Sequence, residues 1–232
     1  MLFQNRAEAG QKLATQLQEL KGRDTIVLAV PRGGVVVAYE VARALDAPLD
    51  VYIARKLGAP GNEELALGAI TSDGTLFLDP ELISQLGVSQ RYVAAEMEKQ
   101  RAEIVRRLSI YRHQRPLPVL RGKTVILVDD GVATGATTLA ALRGLRKQQP
   151  GTLVLGVPVG PEDVVERLES EADRVVCLAT PDPFWAVGRF FVDWSQLSDQ
   201  EVTDTLNRRR AELEQGKQER HANQGAGTPS SS

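Results

Sequence analysis

The run Val125-Ile126-Leu127-Val128-Asp129-Asp130 constrains this chain more than any other stretch. Four consecutive apolar residues with no polar alternation describe a strand buried on both faces, as in a parallel sheet covered by helices. The adjacent carboxylates at its carboxyl end stand where open α/β sheets bind their ligands, and such a pair demands a cationic or hydroxyl partner. Gly131-Val132-Ala133-Thr134-Gly135-Ala136-Thr137-Thr138 follows, a loop of small residues opening a helix. Without bulk, its backbone N–H groups can converge on an anion at the helix amino end, and the hydroxyls of Thr134, Thr137 and Thr138 add donors. One site thus offers anion and polyol recognition side by side.

The rest of the chain supports that sheet. Leu13, Leu17 and Leu20 recur at helical spacing, and Thr25 to Val30 is an apolar run held between Asp24 and Pro31. A helical pattern from Val35 to Leu45 and a second strand from Leu49 to Ala54 complete a βαβ unit. Strands at Thr124 to Val128, Thr152 to Val157 and Arg174 to Leu178 alternate with helical segments near 136–148 and 161–170. The expected fold is α/β, a doubly wound parallel sheet. Between Leu57 and Asp79 the residues Gly58, Pro60, Gly61, Asn62, Gly68 and Gly74 predict a long loop ending in a β-hairpin around Ser72-Asp73-Gly74. Residues 89–113 predict a charge-rich helix that buries Val93, Met97, Ile104 and Leu108 and solvates its basic run, Arg101, Arg106, Arg107, Arg112 and Arg115. An aromatic cluster after Thr180 leads into a polar helix from about Ser198 to Glu214. The expected organisation is one domain over 1–215, with a lid and hairpin at about 57–79 and a hood at about 180–195 joined by the C-terminal helix. The polar tail from 216 to 232 is expected to be disordered.

Composition removes several function classes. Twenty-eight basic and thirty acidic side chains give a formal charge of -2, so no global field recruits nucleic acid or an anionic membrane. Cys177 is the one cysteine and His113 and His221 the two histidines, which excludes a disulfide and a cysteine-rich zinc site; a metal would be held by oxygen. No segment approaches the roughly 18 apolar residues of a membrane span, and the first thirty residues fit no secretory signal. A cytoplasmic protein is expected.

No Lys follows Gly135, so the loop is not a P-loop, and no G-x-G-x-x-G follows the early strands. Four apolar residues, two acids, a short loop and Thr-Gly-x-Thr instead resemble the phosphoribosyl-diphosphate motif of the type I phosphoribosyltransferases, matched at Asp129, Asp130, Thr134, Gly135 and Thr137. Gly131 departs from the bulky apolar residue usual there. A second element, Val30-Pro31-Arg32-Gly33-Gly34, leaves the first strand and opens a helix; its two glycines admit backbone geometry closed to other residues, and its N–H groups at the helix start can accept an anion, with Arg32 adding charge. It is similar to the family's pyrophosphate loop. Arg55 and Lys56, ending the second strand, resemble the basic pair before the family's flexible loop.

The resemblance, which runs from about residue 5 to 214, implies a fold of that family with a flexible loop or hairpin insertion and a small hood. It implies that Asp129 and Asp130 hold the ribose hydroxyls of phosphoribosyl diphosphate and contact Mg²⁺ directly or through water. Ala133, Thr134, Gly135, Ala136 and Thr137 would hold the 5'-phosphate, and Arg32, Gly33, Gly34, Arg55 and Lys56 the leaving pyrophosphate. Relatives acting on hypoxanthine or guanine carry an Asp where Ala133 stands, whereas the adenine-specific members have an Ala there and are thought to use a flexible-loop Glu. Glu64, or failing that Glu63, is therefore the expected proton acceptor on a mobile lid from Leu57 to Gly68. Such pyrophosphate loops often hold a cis bond, expected here at Pro31-Arg32. Phe184, Trp185 and Asp193 look loosely like the base-binding hood of the purine enzymes, with core packing of the aromatics the equal alternative. The implied activity is magnesium-dependent transfer of phosphoribose to a small nitrogenous base, a purine among the candidates, as in nucleotide salvage. It resembles a bacterial subgroup whose acceptor is unassigned. A homodimer is compatible with this, and a non-catalytic regulator that binds phosphoribosyl diphosphate or a nucleotide is the alternative.

Overall fold

The computed structural model describes residues 2–113 and 115–225, without the side chains of Glu64 and of 220–225. Helix α1 (Arg6–Thr15) is capped by Asn5, whose side chain accepts from the Glu8 amide. It leads through a short 3₁₀ turn into strand β1 (Thr25–Ala29), helix α2 (Gly34–Ala44) and strand β2 (Leu49–Val51). Strands β3 (Ala54–Ala59), β4 (Asn62–Thr71) and β5 (Leu76–Leu78) come next, then helices α3 (Pro80–Gln85) and α4 (Gln90–Arg112). The β-α rhythm resumes with β6 (Thr124–Val128), α5 (Ala136–Lys147), β7 (Thr152–Val159), α6 (Glu162–Glu169) and β8 (Arg174–Ala179), and α7 (Asp199–Gly225) closes the described chain.

Five strands form the expected parallel sheet in the order β2-β1-β6-β7-β8. From β1 the chain winds one way to β2, and from β6 the other way to β7 and β8, so the order reverses between β1 and β6. That reversal opens a crevice at the carboxyl ends of the two strands. Register sharpens it: Thr25 lies opposite Thr124 and Ala29 opposite Val128, so both strands stop level. Helices cover both faces. Ile126 and Val128 pack with Leu13, Val35, Val37 and Val41 on one side, and Val125 and Leu127 with Leu139, Leu142 and Leu145 on the other. All five residues of β6 are buried, as its unbroken apolar run requires.

Three expectations need correction. The segment from Leu57 to Gly68 is not a loop: β3, β4 and β5 form an antiparallel meander turning at Pro60-Gly61 and at Ser72-Asp73-Gly74. Leu57, Ala59, Leu67, Ala69 and Ile70 are buried in it. Register shifts at Gly58 break the alternation by which a strand is recognised. The hairpin around Ser72-Asp73-Gly74 is present, with Asp73 accepting from the Thr75 amide at 3.0 Å. Second, residues 216–225 are not a separate tail but continue α7, in keeping with a run of Gln, Lys, Glu, Arg and Ala that favours helix without burial; 226–232 lie outside the described residues. Third, the basic face of α4 is only partly solvated. Arg107 and Arg112 are buried, Arg107 beside Glu103 at 2.7 Å and Arg112 beside Asp50 at 2.9 Å. Helix α3 was not foreseen, although Asp79 caps it at the Leu82 amide and Pro80 opens it.

Candidate active site

Where β1 and β6 end, a cavity of about 320 Å³ opens. The first loop, from Val30, and the second, from Asp129, leave adjacent strands side by side, joined by the Val30 amide donating to the Val128 carbonyl at 2.9 Å. Arg32, Gly33, Arg55, Lys56, Asp129, Asp130 and Thr137 all line this cavity. Seven sequence-predicted residues thus meet at the switch point, drawn from three separate stretches of chain.

The glycines of the first loop serve a purpose different from the expected one. Gly33 has ordinary helical angles, φ -58° and ψ -40°, so conformational freedom does not explain it. A Cβ there would overlap Asp130 Oδ2 and lie 2.5 Å from Asp130 Cγ, and one on Gly34 would lie 2.9 Å from Asp129 Cα. The two loops press together so closely that only hydrogen fits between them. The peptide bond between Pro31 and Arg32 is cis, as expected. In the second loop Gly135 does need its freedom: its φ is +74°, and it starts α5. Gly131, the departure from the family pattern, faces Val187 at a place where a Cβ would overlap that side chain.

The acid pair is held without being neutralised symmetrically. Asp129 Oδ1 accepts from the Asp130 amide at 2.8 Å, while Asp130 Oδ2 receives the Nε–H of Arg6 at 2.7 Å. Burial, then the neighbouring Asp130, pushes the Asp129 carboxyl well above the usual carboxylate range. Burial also raises Asp130, with Arg6 pulling the other way. Opposite them, burial and then Arg107 push the Arg55 guanidinium below its usual value. The site thus brings half-buried charges of both signs to the wall of one cavity, the kind of setting that functional sites use.

The phosphate loop divides between two cavities. Thr137 lines the one just described, whereas Thr134 and Ala136 line a neighbouring cavity of about 410 Å³ with Leu65, Phe77 and Arg143. Ala133 is exposed, and the Thr134 carbonyl accepts from Arg167. Glu63 reaches the acid-pair cavity from β4, highly exposed and 3.2 Å from Lys99. Glu64 is its neighbour on the same strand, with a side chain outside the described residues.

The hood candidates are not brought to the acid pair. Phe184 lines a separate cavity of about 330 Å³ with Glu162, Asp163 and Asp182, and packs on Phe190 with ring centroids 5.1 Å apart. Trp185 is 79% exposed, and Asp193 accepts from the Ser195 amide at 3.1 Å. Phe191 and Trp194 stack with Phe3 in a small core.

Three contributors escaped the sequence reading. Arg6, at the start of α1, stacks 3.6 Å from the Trp194 ring centre, donates to the Ser195 carbonyl at 2.8 Å and pairs with Asp130. Its only signal is an arginine among helix-start residues, and its partners lie more than a hundred positions away. Glu96 and Gln100, one turn apart on α4, form a further wall of the acid-pair cavity. Their four-residue spacing was legible, their direction was not.

With this geometry in place, the likeness to known proteins is specific. The family model of the phosphoribosyl transferase domain matches residues 2–193. Two Mycobacterium tuberculosis proteins provisionally named as phosphoribosyl transferases, Rv0571c of strain H37Rv and MT0597 of strain CDC 1551 / Oshkosh, are each 45% identical over 207 residues. The match covers 89% of this chain and 47% of those proteins, so the chain spans about half the length of the curated relatives it matches. The crystal structure of TT1426 from Thermus thermophilus is 44% identical, with a TM-score of 0.74 over 89% of this chain and 98% of that one. With the family model matching most of its length and relatives 45% identical over 89% of it, the chain belongs to the phosphoribosyl transferase domain family.

Proposed function

We propose that this chain transfers the phosphoribosyl group of phosphoribosyl diphosphate to a small nitrogenous base, inverting C1 and releasing pyrophosphate. The observation that carries this reading is the meeting of a glycine loop, two adjacent carboxylates and the cations Arg32, Arg55 and Lys56 in one switch-point cavity. Arg32, the loop amides at Gly33 and Gly34, Arg55 and Lys56 receive the departing pyrophosphate as its charge develops. Asp129 and Asp130 accept the ribose hydroxyls and face the positive charge that grows on the ring in an oxocarbenium-like transition state. The loop from Ala133 to Thr137 holds the 5'-phosphate, because the first N–H groups of α5 have no partners inside the helix. Glu64, or Glu63 beside it, takes the proton of the acceptor.

Mg²⁺ fits this chemistry. The described lining includes the cations Arg32, Arg55 and Lys56 and the acids Glu63, Glu96, Asp129 and Asp130, so a cation arriving with a polyanion would ease its approach to the acids. Among the described residues no cluster of three or more His, Cys, Asp or Glu side chains could hold a metal. That suits Mg²⁺ bound through one or two carboxylates plus substrate oxygens and water. Asp129 and Asp130 would hold it, directly or through water, and when bound it would neutralise the diphosphate.

Incubation with phosphoribosyl diphosphate, Mg²⁺ and a panel of purine and pyrimidine bases, following pyrophosphate release, tests the reading and identifies the acceptor. Release with one base establishes it. Tight binding without release from any base would instead favour a ligand-sensing role, and absence of binding would overturn both.

A further inference from the structure

On the α4 side of the cavity a chain of hydrogen bonds runs from a carboxylate to a guanidinium through an amide. Gln100 Nε2 donates to Glu96 Oε1 at 2.7 Å, and Arg55 Nε donates to Gln100 Oε1 at 2.8 Å. Both α4 side chains are buried, Glu96 at 8% and Gln100 at 5% exposure, and all three residues line the acid-pair cavity. The amide has one satisfied orientation, because arginine only donates and a carboxylate only accepts. Helix α4 is fixed against the meander at two further points: the Tyr92 hydroxyl donates to the Gly58 carbonyl at 3.1 Å, and Lys99 pairs with Glu63 at 3.2 Å.

We propose that Gln100 is a positioning residue for the diphosphate, a neutral relay that orients Arg55 while keeping the Glu96 carboxylate one side chain away from it. This rests on the reading of the cavity as a diphosphate site. A carboxylate in direct contact would engage the guanidinium fork in a bidentate pair and neutralise it. Held instead by an amide at Nε, Arg55 can offer its two terminal amino groups and its charge to an anion, and among the described residues no carboxylate forms a salt bridge with it. Arg107 and Arg32 add positive charge around the same group, with Glu103 and Glu96 acting against them from beyond contact distance. Lys99, 3.6 Å from Glu96 Oε2, balances the far end of the relay. The amide therefore determines which partner Arg55 serves.

The test is calorimetric titration of the full chain with magnesium pyrophosphate. Gln100→Leu removes the relay and is expected to weaken binding about tenfold. Exchange of the two residues, Glu96→Gln with Gln100→Glu, keeps the net charge and an unbroken chain of donors and acceptors but puts the carboxylate on Arg55. It is expected to melt like the wild type and to bind about tenfold more weakly. In an Arg55→Ala background, neither change should weaken binding further. Wild-type affinity in both variants, or the same loss with Arg55 absent, would overturn the proposal. A wild-type chain that bound no magnesium pyrophosphate would overturn the diphosphate reading itself, and the relay with it.

Discussion

At Gly33 the absence of a single carbon keeps two loops in register. Because a Cβ there would overlap Asp130, Gly33→Ala must displace the carboxylate or the loop. Overpacking of this kind costs about 1 to 3 kcal/mol, and the displaced acid should lower affinity for phosphoribosyl diphosphate by at least tenfold in calorimetry. Replacing both acids, Asp129→Asn with Asp130→Asn, should abolish magnesium-dependent binding; unchanged affinity would remove the acid pair from the mechanism. Glu64→Gln should lower turnover by about 10² to 10⁴, the usual worth of general-base assistance, with phosphoribosyl diphosphate affinity nearly intact. No change in either the Glu64 or the Glu63 variant would make both solvated strand residues. Most of these positions were legible in the sequence, because the acids and the glycines sit at strand ends where local pattern and fold coincide; the basic pair, expected to end the second strand, stands instead within β3, since β2 stops at Val51 and the chain turns into the meander. Arg6, Glu96 and Gln100 were not, because nothing local states which way a helix turns its polar side chains. Of the two readings open for the hood aromatics, the contacts favour packing for Phe184, which lies on Phe190, while Trp185 stands exposed and joins neither the acid pair nor the small core of Phe3, Phe191 and Trp194.

Among the elements, the β3-β4 pair behaves differently from the loop its glycines suggested. Its body is anchored by buried apolar residues and by α4, while Gly61, Asn62 and Glu63 at its turn are exposed. Ligand-dependent slowing of hydrogen exchange should therefore concentrate near residues 60–64, with the strands protected in both states; uniform slowing across 57–68 would make the whole pair a lid. Helices α4 and α7 are joined by a charged network. Glu103 contacts Arg106 and Arg107, Arg106 contacts Asp199 at 2.9 Å, and the Tyr111 hydroxyl donates to Asp199 at 2.5 Å. The Arg106 guanidinium beside it holds the Glu103 carboxyl down at about 2, and Tyr111 then Arg106 lower Asp199. A carboxyl lowered by folding stabilises above its usual value of 4.5 and loses that contribution as pH falls toward about 2. Melting temperature should drop across that window, and less steeply in Glu103→Gln. The effect is small per group because these side chains are partly exposed.

For the molecule as a whole, the doubly wound sheet followed directly from short apolar runs alternating with helical patterns, since buried parallel strands leave little ambiguity in period. What the runs do not state is strand order, and the order β2-β1-β6-β7-β8 is what makes the ends of β1 and β6 a crevice. The meander was harder to read because its bulges interrupt alternation, and the length of α7 because an exposed helix and a polar tail share a composition. The segment before α1 and the segment after β8 meet over the acid pair. Phe3 pairs with Phe191, and Arg6 reaches Asp130 across 124 positions and the Ser195 carbonyl across 189. Arg6 is synthesised well before Ser195, and the last sheet strand, β8, ends at Ala179, so a nascent chain can complete its sheet before the clasp over its acid pair has both halves. Synthesis interrupted before the hood would leave a folded sheet whose Asp130 lacks its full setting.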